Sequence, residues 1–260
     1  MKTSLIRYLS AVVLLTVMNQ PLVASDFDVE GGAKQPLTLG LGLMYKDKPY
    51  DNYSSNDKTN IVPLVLYEGQ HFFARGNSIG WNFLDSNELE LAVIGELVGE
   101  GYESGDSRAL TGMSDRDPSL FIGGQLTWKQ EKLGLKLTAI TDLSDESDGT
   151  QIRGGVFYLE RQGNLVLRPF ATLIWQDEEF NDYYYGVRAM EATATRAAYN
   201  ADSDLNFQVG LTATHQAQGS PWMVFGSAQY VWFGDEISDS SIVENDDMLV
   251  ALLGVGYTFR

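Results

Sequence analysis

The sequence predicts an all-β chain, a transmembrane antiparallel up-and-down β-barrel of about twelve strands, with ten as the alternative count. Three observations predict it. Segments of ten to twelve residues alternate apolar and polar side chains. Strands of soluble domains usually run about five or six residues, whereas a tilted strand needs about ten to cross a bilayer. Short connections alternate with long ones, as in barrels whose turns face the periplasm and whose loops face outward. The chain also ends on "LVALLGVGYTFR", where Leu249, Ala251, Leu253, Val255, Tyr257 and Phe259 share one face. A terminus normally frays, so this apolar face requires a core or a bilayer to meet.

The first element is a leader. "MKTSLIRYLSAVVLLTVMNQPLVAS" has basic Lys2 and Arg7, a short apolar run and a small-residue exit at Val23, Ala24 and Ser25. The run is far shorter than the ~20 residues of a membrane helix. Residues 1–25 therefore read as a cleaved secretory signal, and 26–260 as one barrel domain without repeats or linkers. No later stretch is apolar for long enough to cross as a helix, so a membrane role has to be a β one. The formal net charge of −17 excludes nucleic acid as a partner. The absence of cysteine excludes a disulfide scaffold, thiolate metal sites and thiol nucleophiles.

The strands follow in order. The first is expected at 37–44 and the second at 60–67. "HFFARGNSIGWNFL" reads as two short strands, 70–75 and 79–84, meeting near 76–78. Parity demands this split: with both termini in the periplasm the count must be even, and 88–98 must run outward because a long loop follows it. Next comes 119–130, where Ile122, Leu126 and Trp128 oppose Gln125, Thr127 and Lys129. Strands at 133–142 and 150–161 lead to 164–175, which sets Leu165, Leu167, Ala171, Leu173 and Trp175 against Arg168, Thr172 and Gln176. At 205–216, Leu205, Phe207, Val209, Leu211 and Ala213 oppose Asn206, Gln208, Gly210, Thr212 and Thr214. At 220–233, Trp222, Val224, Ala228, Tyr230 and Trp232 oppose Ser227 and Gln229, and 248–259 ends the series. Short connections at 131–132, 162–163 and 217–220 alternate with long ones at 99–118, 143–149, 177–204 and 234–247. Trp128, Trp175, Trp222, Trp232, Tyr230 and Tyr257 fall near strand ends, where amphipathic rings suit the membrane interface; Trp81 is the exception.

The closing "GVGYTF" resembles the C-terminal signal of bacterial outer-membrane proteins, carried here by Gly254, Tyr257 and Phe259, although Arg260 trails the aromatic and Leu252 replaces a polar residue. It implies recognition by an outer-membrane insertion machinery. "NIVPLVLYEGQHFFARGNSIGWNFLDS", "NDYYYGVRAMEATATRAAYNA" and "DSSIVEND" resemble the MltA-interacting protein (MipA)/OmpV family over essentially the whole mature chain. That resemblance implies a barrel in the Gram-negative outer membrane, reached through the periplasm and set among lipid and lipopolysaccharide. One family member is described as a scaffold between a lytic transglycosylase and a murein synthase. The expected function is thus a non-enzymatic scaffold linking murein-synthesising and murein-degrading enzymes, with a narrow channel or small-solute pore as the alternative.

Chemistry is sparse. His71 and His215 sit near periplasmic strand ends, neither lies in H-E-x-x-H, and no G-x-S-x-G occurs. His215 with Ser227 is the one conceivable nucleophile pair; no catalytic residue and no cofactor is assigned. Asp142, Asp145, Glu146 and Asp148 cluster before Gly149, but without the spacing of a calcium loop. With Asp177, Glu178, Glu179 and Asp182, and Asp235, Glu236 and Asp239, they read as exposed acidic outer loops, so no metal ligand is assigned. Divalent cations bridging such loops to lipopolysaccharide is the hypothesis attached to them. Inward positions are expected at Gln125, Lys129, Arg168, Gln208 and Gln229, polar enough to be wet in a lumen that the long loops could plug.

Overall fold

Alternation along each strand leaves one row of side chains facing out and one facing in, so a sheet of this sequence buries its inner row only by closing on itself. The computed structural model describes residues 37–50, 58–99 and 101–259. The expected signal and the segment 26–36 lie outside them. Twelve strands close the ring: β1 (Leu37–Lys46), β2 (Thr59–Glu68), β3 (Phe72–Arg75), β4 (Ser78–Asp85), β5 (Leu89–Val98), β6 (Ser119–Gln130), β7 (Leu133–Asp142), β8 (Thr150–Tyr158, resuming after Leu159 as Glu160–Gln162), β9 (Leu165–Gln176), β10 (Asp204–Gln216), β11 (Trp222–Trp232) and β12 (Asp247–Phe259). Each pairs antiparallel with its sequence neighbours, and β12 closes on β1 from Leu37 opposite Phe259 to Lys46 opposite Val250. Two helices, α1 (Glu178–Tyr185) and α2 (Asp235–Ser238), lie in the outer loops.

The count is twelve rather than ten because the expected split occurs. Gly76, at φ +65°, opens a two-residue turn between Arg75 and Ser78, a first-position glycine suited to a tight hairpin. With only four residues, β3 pairs β2 no higher than Arg75 opposite Leu66, capped by Gly76 N–H donating to Val65 O at 3.0 Å. Above that point the outer half of β2 has no rung on this side among the described residues, which leaves a notch in the wall. Pro63 stands beside the notch, on the same side of the strand as Val65, and its missing N–H leaves no donor unmet there.

A second proline explains where expectation and structure differ. The strand expected to run unbroken over 150–161 is interrupted at Leu159. The register places Pro169 opposite Tyr158, where it cannot donate a rung, although pairing resumes at Leu167 opposite Glu160. The following turn is at Gly163 and Asn164, one residue beyond the expected position.

The outward row is apolar along the middle of the strands, with Leu41, Ile61, Phe83, Leu137, Leu205, Trp222 and Leu253 all exposed. Such a band suits lipid contact and not water. The inner wall divides into two halves. On β11, β12, β1 and β2 it is mostly apolar, built from Met223, Phe225, Val231, Met248, Val250, Leu252, Met44, Val62, Leu64 and Leu66, with Ser227 and Gln229 of β11 and Thr38 and Lys46 of β1 as polar exceptions. From β5 to β10 it is largely polar. Inward aromatic rings lie over glycines of neighbouring strands: a Cβ on Gly254 would stand 2.2 Å from the Phe225 ring, and one on Gly134 would stand 2.0 Å from Phe157. Only glycine permits that approach.

Candidate functional site

The polar half of the inner wall is held by ion pairs that cross between strands. Arg75 on β3 donates to both Glu68 oxygens at 2.6 and 3.1 Å and to Glu90 at 3.1 Å, with its guanidinium 3.8 Å from the Phe73 ring centroid. Arg153 on β8 makes a two-pronged pair with Glu96 on β5 at 3.0 and 2.7 Å, reaching across two intervening strands. Both arginines are buried, so each needs the carboxylate it has. Asn206 donates to Gln176 at 2.6 Å and accepts from Gly234 N–H at 2.9 Å.

The five inward positions expected from the sequence fall as follows. Gln125, Arg168, Gln208 and Gln229 are buried, Gln208 completely. Arg168 lies over the Phe157 ring at 5.4 Å. Lys129 is partly exposed near the periplasmic rim, 3.9 Å from Glu90. Below the lid described next, solvent still reaches Lys136, Gly155, Gly210 and Ser227, all half-buried on the inward row. The residues that sequence reasoning passed over are Glu68, Arg75, Glu90, Glu96, Lys136 and Arg153. Their signal was strand parity: Glu90 and Glu96 share the polar face of one strand, and Lys136 and Arg153 hold the same place on two others.

The outer mouth is covered by a folded lid. Its apolar centre gathers Tyr50, Tyr102, Leu110, Met113, Phe180, Tyr184, Tyr185, Val187, Ile237 and Ile242 over the outer tips of β5 to β7. Asp177 caps α1 by accepting from Phe180 N–H at 3.0 Å, which turns the tyrosine face of the helix inward. The Tyr184 hydroxyl bonds Ser119 and the Asp117 carbonyl, each within about 3.1 Å. Gly99, at φ +107°, makes room for that ring, since a Cβ there would stand 2.1 Å from the hydroxyl. Burial pushes the Tyr184 phenol well above its usual range and that of Tyr102 up to about 12.

One ion pair ties the two largest loops. Arg116 meets Glu191 at 3.2 Å with both side chains almost wholly enclosed. Arg116 also donates to the carbonyls of Tyr183 at 2.7 Å and Ser114 at 2.8 Å. Glu191 accepts from the backbone N–H groups of Ser114 and Arg188, each at 3.0 Å. Burial pushes its carboxyl upward, but these N–H groups and the Arg116 guanidinium outweigh it and hold the pKa at about 2. Arg196 adds donors to Thr111 and Ala109 of one loop and Glu191 of the other.

The remaining sequence candidates are dispersed. His215 points outward and pairs with Val224, whereas Ser227 belongs to the inward row, so the wall separates that pair. His71 stacks on Trp81 at 5.4 Å, which gives the exceptional tryptophan a partner. The acidic clusters serve the lid: Asp142 accepts from Ser144 and from the N–H groups of Glu146, Ser147 and Asp148, and Glu236 accepts from Tyr199 and Asp202. At the C-terminus, Gly254 lies on the inner face under Phe225, while Tyr257 and Phe259 face outward, their rings 4.9 Å apart.

The family described as MltA-interacting protein MipA matches residues 39–259. The chain is 30 % identical over 227 residues to the outer membrane protein YiaT of Escherichia coli (strain K12), covering 86 % of this chain and 91 % of that one. It is 28 % identical over 232 residues to the MltA-interacting protein of the same strain, covering 88 % and 91 %. With the outer membrane protein OmpV of Vibrio cholerae it shares 26 % identity over 196 residues, 74 % and 76 % of the two chains. Among solved structures it resembles an outer membrane channel from Pseudomonas putida F1, with TM-score 0.44 and 11 % identity over 89 % of this chain and 98 % of that one.

Proposed function

Given that the chain belongs to the family of MltA-interacting protein MipA and is an outer-membrane β-barrel protein, we propose that it is a narrow, lid-gated channel for small solutes and not an enzyme. The observation that supports this is the half-polar inner wall. The inner face of β11, β12, β1 and β2 is mostly apolar. Between β5 and β10 the wall instead carries amides, hydroxyls and paired charges, as the lumen of a water-filled or loop-plugged barrel does. Gln125, Lys129, Arg168, Gln208 and Gln229 line this passage, and the folded outer loops close it. Gly254, Tyr257 and Phe259 act in assembly: the two aromatics are offered to the insertion machinery, while Gly254 lets Phe225 seat on the closing strand. Residues 1–25 are the export signal, and the outward band and outer loops meet lipid and lipopolysaccharide.

Single-channel recording in planar bilayers tests this reading. Small steps of current are expected, more frequent when the lid is loosened by Glu191→Ala, and silence from both proteins would overturn it. A second reading is the murein scaffold. It is favoured by the name of one relative, MltA-interacting protein, and would use the periplasmic face, where the described turns are short. Capture of a lytic transglycosylase and a murein synthase together on the immobilised protein is the outcome it requires.

A further inference from the structure

We propose that the inner wall holds a binding site for a small anion, a carboxylate- or phosphate-bearing solute, centred on Lys136 and Gln208. This rests on the channel reading for the route of access and deepens it by naming the solute class. The two residues belong to one row: Lys136 is opposite Gly155, Gly155 opposite Thr172, and Thr172 opposite Gln208, one rung after another across β7 to β10. Gly155 places no side chain between them and Thr172 only a short one. Solvent reaches Lys136, Gly155 and Gly210, so the row borders the accessible space beneath the lid.

Two observations call for a ligand. Gln208 is 0 % exposed, and neither its Oε1 nor its Nε2 has a hydrogen-bond partner. Buried amides are rarely left in this state. Lys136, for its part, makes no hydrogen bond or ion pair among the described residues. The charges within its reach are Arg75, Arg153 and Arg168, of like sign, and Glu96, whose two oxygens already accept from Arg153. Glu68 and Glu90 are likewise engaged by Arg75, so the four cations Lys136, Arg75, Arg153 and Arg168 face three paired carboxylates, and the surplus positive charge lies on the side of Lys136 and Arg168. A cation is repelled there, and an uncharged sugar leaves the ammonium unanswered. A small anion accepts from Lys136 Nζ and Gln208 Nε2, and a hydroxyl on the same solute donates to Gln208 Oε1.

The test uses the mature barrel in two formats. In planar bilayers under a KCl gradient, the reversal potential should show preference for chloride, and inorganic phosphate should reduce the current. In detergent, titration calorimetry should detect phosphate binding directly. Lys136→Met should abolish the chloride preference and weaken phosphate binding about tenfold or more, the loss expected for a hydrogen bond to a charged group. Gln208→Leu should weaken phosphate binding while keeping the charge preference. Lys132→Met, at the exposed periplasmic turn beside Glu160, should change neither. Heat-modifiable migration on gels reports that each variant is folded, and the wild-type reversal potential needs no variant. Phosphate binding that depends on Lys136 in a protein that passes no current would uphold the site and remove the channel. Current without anion preference, and without binding sensitive to Lys136, would overturn the site and leave the channel standing.

Discussion

Replacing Glu191 by Ala should open the lid without unfolding the barrel. The substitution leaves the Arg116 guanidinium, with 1 % of its side chain exposed, lacking its carboxylate, and it strands the N–H groups of Ser114 and Arg188. Breaking a buried pair in this way costs about 3–5 kcal/mol. The pKa gives an independent figure: a carboxyl lowered from 4.5 to about 2 contributes about 3 kcal/mol at neutral pH. Because the folded-state value is depressed, that contribution is complete above the unfolded value and is lost as pH falls from about 4.5 toward 2. Every 1.4 kcal/mol is a factor of ten, so the open fraction of the lid should rise by roughly two to three decades. Trypsin reads this out at the exposed Arg188 bond, which should be cut at a correspondingly faster rate in folded, heat-modifiable protein. Cleavage of the wild type at Arg188 should likewise accelerate below about pH 4 by the same linkage. Arg116→Met with Glu191→Leu should restore part of the protection, since it leaves no unpaired charge although the Ser114 and Arg188 N–H groups stay unmet. Unchanged cleavage in Glu191→Ala, or equal acceleration in the exposed control Glu179→Ala, would refute the reasoning.

Three further outcomes are expected. Val209→Arg puts a cation on the outward row between Phe207 and Leu211 and should cost about 2–4 kcal/mol in lipid-vesicle unfolding; a cysteine at 209 should be reached by lipid-borne quenchers and one at 208 protected from them. Pro63→Ala should change stability by less than about 1 kcal/mol, because no rung exists on the notch side among the described residues, whereas Leu41→Pro, on the seam opposite Val255, should cost about 3 kcal/mol or more in the same assay. Deleting residues 257–260 should abolish outer-membrane accumulation in fractionated cells, while removing Arg260 alone should leave it unchanged.

The barrel was legible because its two signals are local. A period of two and an alternation of loop lengths survive without knowledge of any partner strand, and even the short hairpin at Gly76 followed from parity. The break at Leu159 was not legible, because its cause, Pro169, is remote until the β8–β9 register is known. The same holds for the glycines: Gly134 reads as a weak spot in a strand until Phe157 is seen lying over it. For the inner wall, the face of each residue was legible but not its partner. Arg153 and Glu96 stand on strands three apart and meet only because the barrel curves. The lid was invisible for another reason. Its loops have no period, and Arg116 and Glu191 are 75 residues apart, so nothing in the sequence distinguishes that pair from the other acidic and basic residues of two long loops.

The placement of the lid follows from the division of the inner wall. The four strands around the closing seam pack Met, Val, Leu and Phe against inward glycines, so the seam is held from inside with no covalent link. The polar half faces it. The lid is founded on the outer tips of β5 to β7, where Val98, Phe121 and Ile140 form an apolar ledge on the inward row. Along β5 the inward row reads Glu90, Ala92, Ile94, Glu96 and Val98 from the periplasmic end outward, so charged and apolar residues are interleaved beneath the ledge, and Lys136 lies in the periplasmic half of β7. Detachment of the lid would expose this ledge to water, and that apolar cost favours its reseating. The arrangement requires that a polar substitution on the ledge, such as Phe121→Ser, leave the seam intact and slow only reclosure. Loss of heat-modifiable migration in that variant would mean that the lid and the barrel are one cooperative unit, and that the outer loops serve the fold rather than a gate.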